Sequence, residues 1–346
     1  MSALPANFTH LHLHSHYTLL GATPSLDDLV TRARRDGLRQ LALADSNALF
    51  GAISFARACR AAAIRPIIGL TATVALPADA LPPDAHALPG HLVLLATDPA
   101  GYRSLCRLAS LFQADADRER RRRAGLTLAE LRANAGGLVC LTGGRGCWLE
   151  RFLRAGNRAA ATRYVAQLGG VFGESCCLAV SPDLMIAPGR PLAEEIIALG
   201  SRFGLRVVAA QPIYCLDAPQ RPLLRLLAAI DANCPVAAVD ATALPDCGDP
   251  NSPLEWPAPE AFAAAYADRP ELLAAAGDVA DGCGEALPDG RLLWPVLAGD
   301  TPAPDQLRRD AAAGLAERYG ASPPADAVAR LEREIAAVGE YGYAPL

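Results

Sequence analysis

Phe8-Thr9-His10-Leu11-His12-Leu13-His14-Ser15-His16-Tyr17 carries histidine at every second position, and four of the chain's six histidines stand in this one stretch. Period-two alternation is the mark of a β-strand, which sends successive side chains to opposite faces. His10, His12, His14 and His16 are therefore expected on one face, with Leu11 and Leu13 on the other. One or two histidines in such a place would simply turn a polar face to water. Four in register make an array of convergent imidazoles, which is metal-ligand chemistry in outline.

Beyond this stretch the chain reads as alternating strands and helices. Ser25-Leu26-Asp27-Asp28 has the form of a helix-capping box, so Asp27 and Asp28 are helix-start residues rather than metal ligands, and the helix ends near Gly37. Strands are expected at 40–44, 66–74, 91–96, 138–142, 176–180 and 206–210. Helices are expected at 48–63, 99–112, 157–169, 191–203 and 221–230. With the histidine strand this makes seven strands, and the alternation with helices predicts a parallel sheet, open or closed into a barrel with its site at the C-terminal strand ends. From Asn233 to Pro259 the composition shifts to Pro, Asp, Asn and Gly, which marks the end of a first domain. Helices follow at 259–267, 270–283, 305–319 and 324–341, with a short Leu292-Leu293-Trp294 run between them. The expected organisation is a barrel domain over 6–232, a linker over 233–258 and a helical appendage over 259–346.

Composition narrows the function classes. With 346 residues and 51% hydrophobic content the chain can bury a large core, while its apolar runs are too short to span a bilayer. The first residues lack the layout of a secretory signal, so a cytoplasmic protein is expected. Ten cysteines include no C-x-x-C pair, and Cys140, Cys176, Cys177 and Cys215 sit in apolar runs, as reduced core residues do. The net charge of -5 gives no global attraction for nucleic acid. All 32 basic residues are arginine, a matter of composition, and the run Arg118-Glu119-Arg120-Arg121-Arg122-Arg123 reads as a solvated helix end or loop. Trp148, Trp256 and Trp294 are scattered as packing residues are, not as a stacking platform. Metal-free catalysis finds little support. Ser46 beside Asp45 is not a nucleophile elbow. Thr142-Gly143-Gly144-Arg145-Gly146 lacks the Walker lysine and reads as a tight strand-to-helix turn, with Arg145 a candidate phosphate contact.

An ordered set of segments carries a resemblance: His10 to Thr18, Ala42-Leu43-Ala44-Asp45, Asn47 to Ala52, Ile64 to Gly69, His91 to Ala96 with Gly101-Tyr102-Arg103-Ser104-Leu105, and Gly137 to Gly143. Pro270-Glu271-Leu272 and Leu331 to Tyr343 close it. The set resembles the PHP (polymerase and histidinol phosphatase) domain of bacterial C-family DNA polymerases, the DNA polymerase III alpha subunit, and covers nearly the whole chain. The resemblance implies an irregular seven-stranded β/α barrel followed by a small helical segment. It also implies metal-assisted phosphoester hydrolysis, of which 3′–5′ exonuclease proofreading is one form, with Zn, Mn or Mg as the ion.

Most of the implied ligand shell is missing. His12 and His14 match the first ligand pair, Asp45 the aspartate of the second motif, and His91 a histidine at the head of a later strand; His10 and His16 are extra imidazoles. The family's first-loop aspartate is replaced in Leu19-Leu20-Gly21-Ala22. Its second-motif histidine is Ser46, its glutamate Thr71, its cysteine Gly144, and its Asp-x-His pair is Pro212-Ile213-Tyr214. His12, His14 and Asp45 remain a reasonable three-ligand set for one ion; a multinuclear centre is not expected. The resemblance places a polymerase palm after Leu346, so the residues here are not expected to polymerise DNA. They read as a polymerase module, replicative or error-prone, with a degenerate metal site and a structural or partner-binding role. Its expected partners are the remainder of a polymerase subunit or a proofreading exonuclease subunit, with DNA met through that assembly and no membrane. The alternative is an active metal-dependent phosphoesterase or 3′–5′ exonuclease.

Overall fold

A computed structural model describes residues 4–78, 80, 89–249, 251–291 and 301–346. Among these, six strands form one curled sheet in chain order: β1 Gln40–Leu43, β2 Arg65–Val74, β3 Gly90–Ala96, β4 Leu138–Thr142, β5 Cys176–Val180 and β6 Arg206–Ala209. Around it lie α1 Leu26–Arg35, α2 Ala52–Ala61, α3 Pro99–Gln113, α4 Arg118–Ala124, α5 Leu128–Ala133, α6 Trp148–Arg154, α7 Arg158–Phe172, α8 Arg190–Phe203, α9 Arg221–Asp231, α10 Pro259–Ala265 and α11 Pro270–Gly282. The strands are near-continuous apolar runs, as suits a sheet covered on both faces: Pro66 to Ala72 of β2 and all of β4 and β5 are buried. Ser25 caps α1 as its sequence foretells, its hydroxyl accepting from the Asp28 amide, and Asp27 and Asp28 stay exposed.

Two features of the expected sheet need correction. The sheet is not all parallel: β1–β2, β4–β5 and β5–β6 are, but β3 runs antiparallel to both neighbours. The described residues between β2 and β3 form no helix, as suits an antiparallel pair, whereas β3 and β4 pair antiparallel with α3, α4 and α5 between them. The histidine stretch, moreover, is not a strand. It makes one parallel bridge, Leu13 with Ile213, framed by His14 N–H to Ile213 O (2.9 Å) and Ile213 N–H to His12 O (3.0 Å). On its other side the Ala44 amide donates to Leu13 O at 2.8 Å. The segment thus occupies the seventh position, between the end of β1 and the residues that follow β6, and joins the sheet's two edges through His12, Leu13 and His14.

Local chemistry moved other boundaries. Asn47 adopts φ 54° and Gly51 caps α2, so that helix starts at Ala52 rather than at Ala48. The arginine run forms a helix of its own, α4, capped by Asp117, and α5 carries a reciprocal Thr127–Glu130 capping box. The nine cysteines whose side chains are described are free thiols. Among the described residues no helix is long and apolar enough to cross a membrane.

The chain divides into two compact units, Met1–Leu287 and Pro288–Leu346. In the first, α10 and α11 contribute Phe262, Tyr266, Leu272 and Leu273 to the main core, and Trp256 from the preceding proline-rich stretch is buried with them. Glu255 bridges Cys215, with Trp256 N–H donating to Cys215 O at 3.0 Å. The second unit holds α12 Ala303–Tyr319 and α13 Ala325–Glu340, linked by an Arg308–Glu332 ion pair of 2.8 Å. Leu292-Leu293-Trp294 lies outside the described residues. Phe262 is 1% exposed, with its ring 5.3 Å from Phe8 and 5.5 Å from His10. Phe262→Ala is expected to cost about 3–5 kcal/mol in urea unfolding; a loss below about 1 kcal/mol would show that α10 is not part of the barrel core.

Candidate functional site

The mouth of the barrel gathers His12 and His14 from the histidine segment, Asp45 from the end of β1, His91 from β3, the glycine turn after β4, and Tyr214 from the segment beyond β6. His12 and His14 are buried, with their Nε2 atoms 3.1 Å apart. His14 is fixed on two further sides. Its Nδ1 lies 3.0 Å from the Thr18 hydroxyl, and the Tyr214 ring stacks on it at 4.1 Å and 11°. The Nδ1 of His12 is buried without a hydrogen-bond partner.

The four imidazoles do not share one face, which corrects the expectation from the alternation. His10 turns into an aromatic box, edge-on to Phe8 at 5.3 Å, Trp256 at 4.8 Å and Phe262 at 5.5 Å. His16 is exposed against Tyr17. The chain leaves extended geometry at Ser15, where the Thr18 amide turns back to the Ser15 carbonyl at 2.8 Å. Only the central pair faces the mouth.

Asp45 is buried, and its carboxylate is turned to hydroxyls and an amide. Oδ1 accepts from Ser15 N–H (2.7 Å) and Thr18 Oγ–H (2.8 Å), while Oδ2 accepts from Ser15 Oγ–H (2.9 Å). The positions implied to be ligands elsewhere in the family are built into the backbone frame: Ser46 and Thr71 form a bridge, and the Thr71 hydroxyl donates to Ala44 O at 2.7 Å. Leu19 and Leu20 lie exposed at the loop that lacks the aspartate. His91 Nε2 is 2.7 Å from Gly143 O. The turn itself is bound to glycine. A Cβ at Gly143 would lie 3.0 Å from His12 Nδ1, a Cβ at Gly146 would lie 2.2 Å from His91 Cε1, and Gly144 has φ 65°. Arg145 is committed to Asp183 Oδ2 at 3.0 Å and to Asp249. His86 lies outside the described residues.

Charge follows burial. Loss of hydration holds His10 and His14 down at about 3, with Arg32 adding to the effect on His10 and His91 to that on His14; His12 is also held well below its usual range by burial, with His14 and His91 beside it. Burial pushes the Asp45 carboxyl up, against the pull of its three hydrogen bonds. The mouth therefore holds neutral imidazoles, and the 3.1 Å spacing of His12 and His14 places two nitrogens at a separation one ion can bridge. A third ligand is not in place. Among the described residues no group of three or more His, Cys, Asp or Glu is disposed to hold a metal ion. Of the set His12, His14 and Asp45, the carboxylate is engaged by Ser15 and Thr18. Sequence reading missed these two residues, although hydroxyls in His14-Ser15-His16-Tyr17-Thr18 were the available signal.

The PHP domain model matches residues 10–181. Over 332 residues the chain is 29% identical to the DNA polymerase III subunit alpha of Bacillus subtilis (strain 168), a match covering 95% of this chain and 28% of that protein. It is 32% identical over 356 residues to an error-prone DNA polymerase of Mycobacterium bovis, covering 96% of this chain and 30% of the relative. The chain thus spans less than a third of the length of these polymerases. Among solved structures, an amidohydrolase from Chromobacterium violaceum is 14% identical with a TM-score of 0.43, covering 60% of this chain and 87% of that one.

The box around His10 has a consequence for acid stability. Below about 6.5 the unfolded chain takes up a proton at His10 that the folded chain refuses until about 3, so this contribution is complete above 6.5 and is lost as pH falls. The urea midpoint is expected to drop between about pH 7.5 and about pH 5, and His10→Phe, which keeps a ring in the box, is expected to drop less. Identical losses in the two proteins would remove His10 from this account.

Proposed function

Residues 10–181 belong to the PHP domain family, and from that membership we propose that the chain serves as the N-terminal, PHP-type module of a DNA polymerase III alpha or error-prone polymerase assembly. Its role there is structural and partner-binding, in DNA replication or translesion synthesis. The observation that carries this reading is the match to polymerase subunits along 95% and 96% of the chain, helical segment included. The mouth supports the non-hydrolytic half of it. Hydrolysis of a phosphodiester by bound Zn, Mn or Mg needs an ion held by several protein ligands with a position left open for water. Here His12 and His14 are the pair turned toward one another, Asp45 is engaged by three donors, and His91 is engaged by Gly143. The partners proposed are the remainder of a polymerase subunit or a proofreading exonuclease subunit, with DNA reached through them.

The test uses the 346-residue chain with a C-family polymerase from which the matching region has been deleted. Co-elution on size exclusion is expected, unchanged by His12→Ala/His14→Ala. After dialysis the chain is expected to carry well under one ion per molecule and to leave single-stranded DNA intact with added Mn. Chelator-sensitive cleavage that disappears in the double variant would replace this reading with a metal-dependent phosphoesterase or 3′–5′ exonuclease working through His12, His14, Asp45 and His91. Failure to co-elute would remove the partner role.

A further inference from the structure

The segment from α3 to α5, Pro99–Ala133, carries eight arginines and four carboxylates, a net charge of +4 in a chain whose total is -5. The abundance of arginine follows from a composition without lysine. Composition sets how many arginines there are; it does not set where they escape carboxylates. Three of the eight are paired locally. Arg120 lies 3.4 Å from Asp115, Arg123 lies 3.1 Å from Glu119, and Arg121 lies 2.8 Å from Glu130 with its guanidinium over the Phe112 ring. The other five, Arg103, Arg107, Arg118, Arg122 and Arg132, are exposed and have no ion-pair partner among the described residues. They are ordered as well as free. Arg103 and Arg107 on α3, and Arg118 and Arg122 on α4, each stand four residues apart on a helix. Each pair therefore projects from one side with about 6 Å of rise between its members.

We propose that the α3–α5 face is a sequence-independent contact for the phosphate backbone of nucleic acid. The proposal rests on the polymerase-module reading for the presence of DNA, but not on any property of the barrel mouth. Unpaired guanidiniums spaced a helical turn apart suit a polyanion that carries one charge about every 1.7 Å of duplex axis, because each neutralised phosphate releases condensed counterions. Guanidinium heads present planar, bidentate donors to phosphate oxygens. The same face lacks what the other anionic surface, a bilayer, would use: none of the chain's exposed large hydrophobic residues falls between Pro99 and Ala133. It also exposes no large aromatic residue on which bases would stack, so the contact is with the backbone rather than with base edges. The local pairing of Arg120, Arg121 and Arg123 holds α4 in place and leaves Arg118 and Arg122 for the ligand.

Fluorescence anisotropy of a labelled duplex of random sequence, titrated with the full chain over a range of salt, tests this. The wild-type chain is expected to bind at low salt, with affinity falling steeply as salt rises. Arg118→Ala/Arg122→Ala and Arg103→Ala/Arg107→Ala are each expected to reduce the slope of log Kobs against log salt by about two, equally for unrelated sequences. Arg34→Ala/Arg35→Ala on α1 makes the same change in net charge and is expected to leave the slope unaltered. The proposal is overturned if the wild-type chain does not bind at low salt, if the α1 pair lowers the slope as much as the others, or if the chain binds phosphatidylglycerol vesicles and not DNA. Co-elution of Arg118→Ala/Arg122→Ala with the polymerase partner separates this outcome from the module's partner role, since the association is expected to survive the substitution.

Discussion

The carboxylate of Asp45 closes the barrel. The histidine segment holds its place between the two sheet edges by only a few backbone hydrogen bonds, around Leu13, Ala44 and Ile213. What fixes its far end is a side chain from the neighbouring strand, accepting at once from the Ser15 amide, the Ser15 hydroxyl and the Thr18 hydroxyl. Hydrogen bonds to a charged acceptor are worth more than neutral ones, about 1.5–3 kcal/mol each, so this cluster is worth more than the single strand bridge it accompanies. A carboxylate offers about four lone-pair sites, and three are in use here. The same bonds that hold the segment in place also fix the orientation of the Asp45 carboxylate.

From that staple the rest of the mouth follows. Thr18 gives its hydroxyl hydrogen to Asp45, which leaves its oxygen to meet His14 Nδ1 and the Ser46 amide. His14 is then fixed with Nε2 toward His12 and one face under Tyr214. Buried and surrounded by other imidazoles, these rings remain neutral well below pH 6.5, and they gain packing where exposed histidines would gain hydration.

Much of this was legible in the chain. Continuous apolar runs located β2 to β5 within a residue, because strands buried on both faces leave no choice of composition, and Ser25 and Asp28 announced α1 by the bonds they make. The direction of β3 was not legible, since antiparallel pairing depends on the path between strands rather than on the residues in them. Nor was the fate of the histidines. Alternation assigned four rings to one face, but Ser15 and Thr18 bend the chain toward Asp45, and Trp256 and Phe262, more than two hundred residues away in sequence, supply the box that takes His10. Candidate ligands can be named by residue type; that Asp45 faces hydroxyls depends on a contact between residues thirty positions apart.

The missing ligands are also coupled to one another through packing. Where the resemblance places a cysteine, Gly144 takes φ 65°, a conformation that a side chain adopts only with strain. The turn it permits brings Gly146 against the His91 ring and Gly143 O to His91 Nε2. The conformation at Gly144 and the placement of the His91 ring are therefore coupled. Tyr214 and His14 form a second such pair, since the ring that stands in place of a histidine covers the face of the imidazole it would have joined. Ser15, Thr18 and Asp45 form a third. Each of the three arrangements is held by its own contacts: Gly143 O on His91, the Tyr214 ring on His14, and Ser15 and Thr18 on Asp45. The mouth is thus packed from within, with His12, His14 and His91 each in contact with a neighbouring side chain or carbonyl.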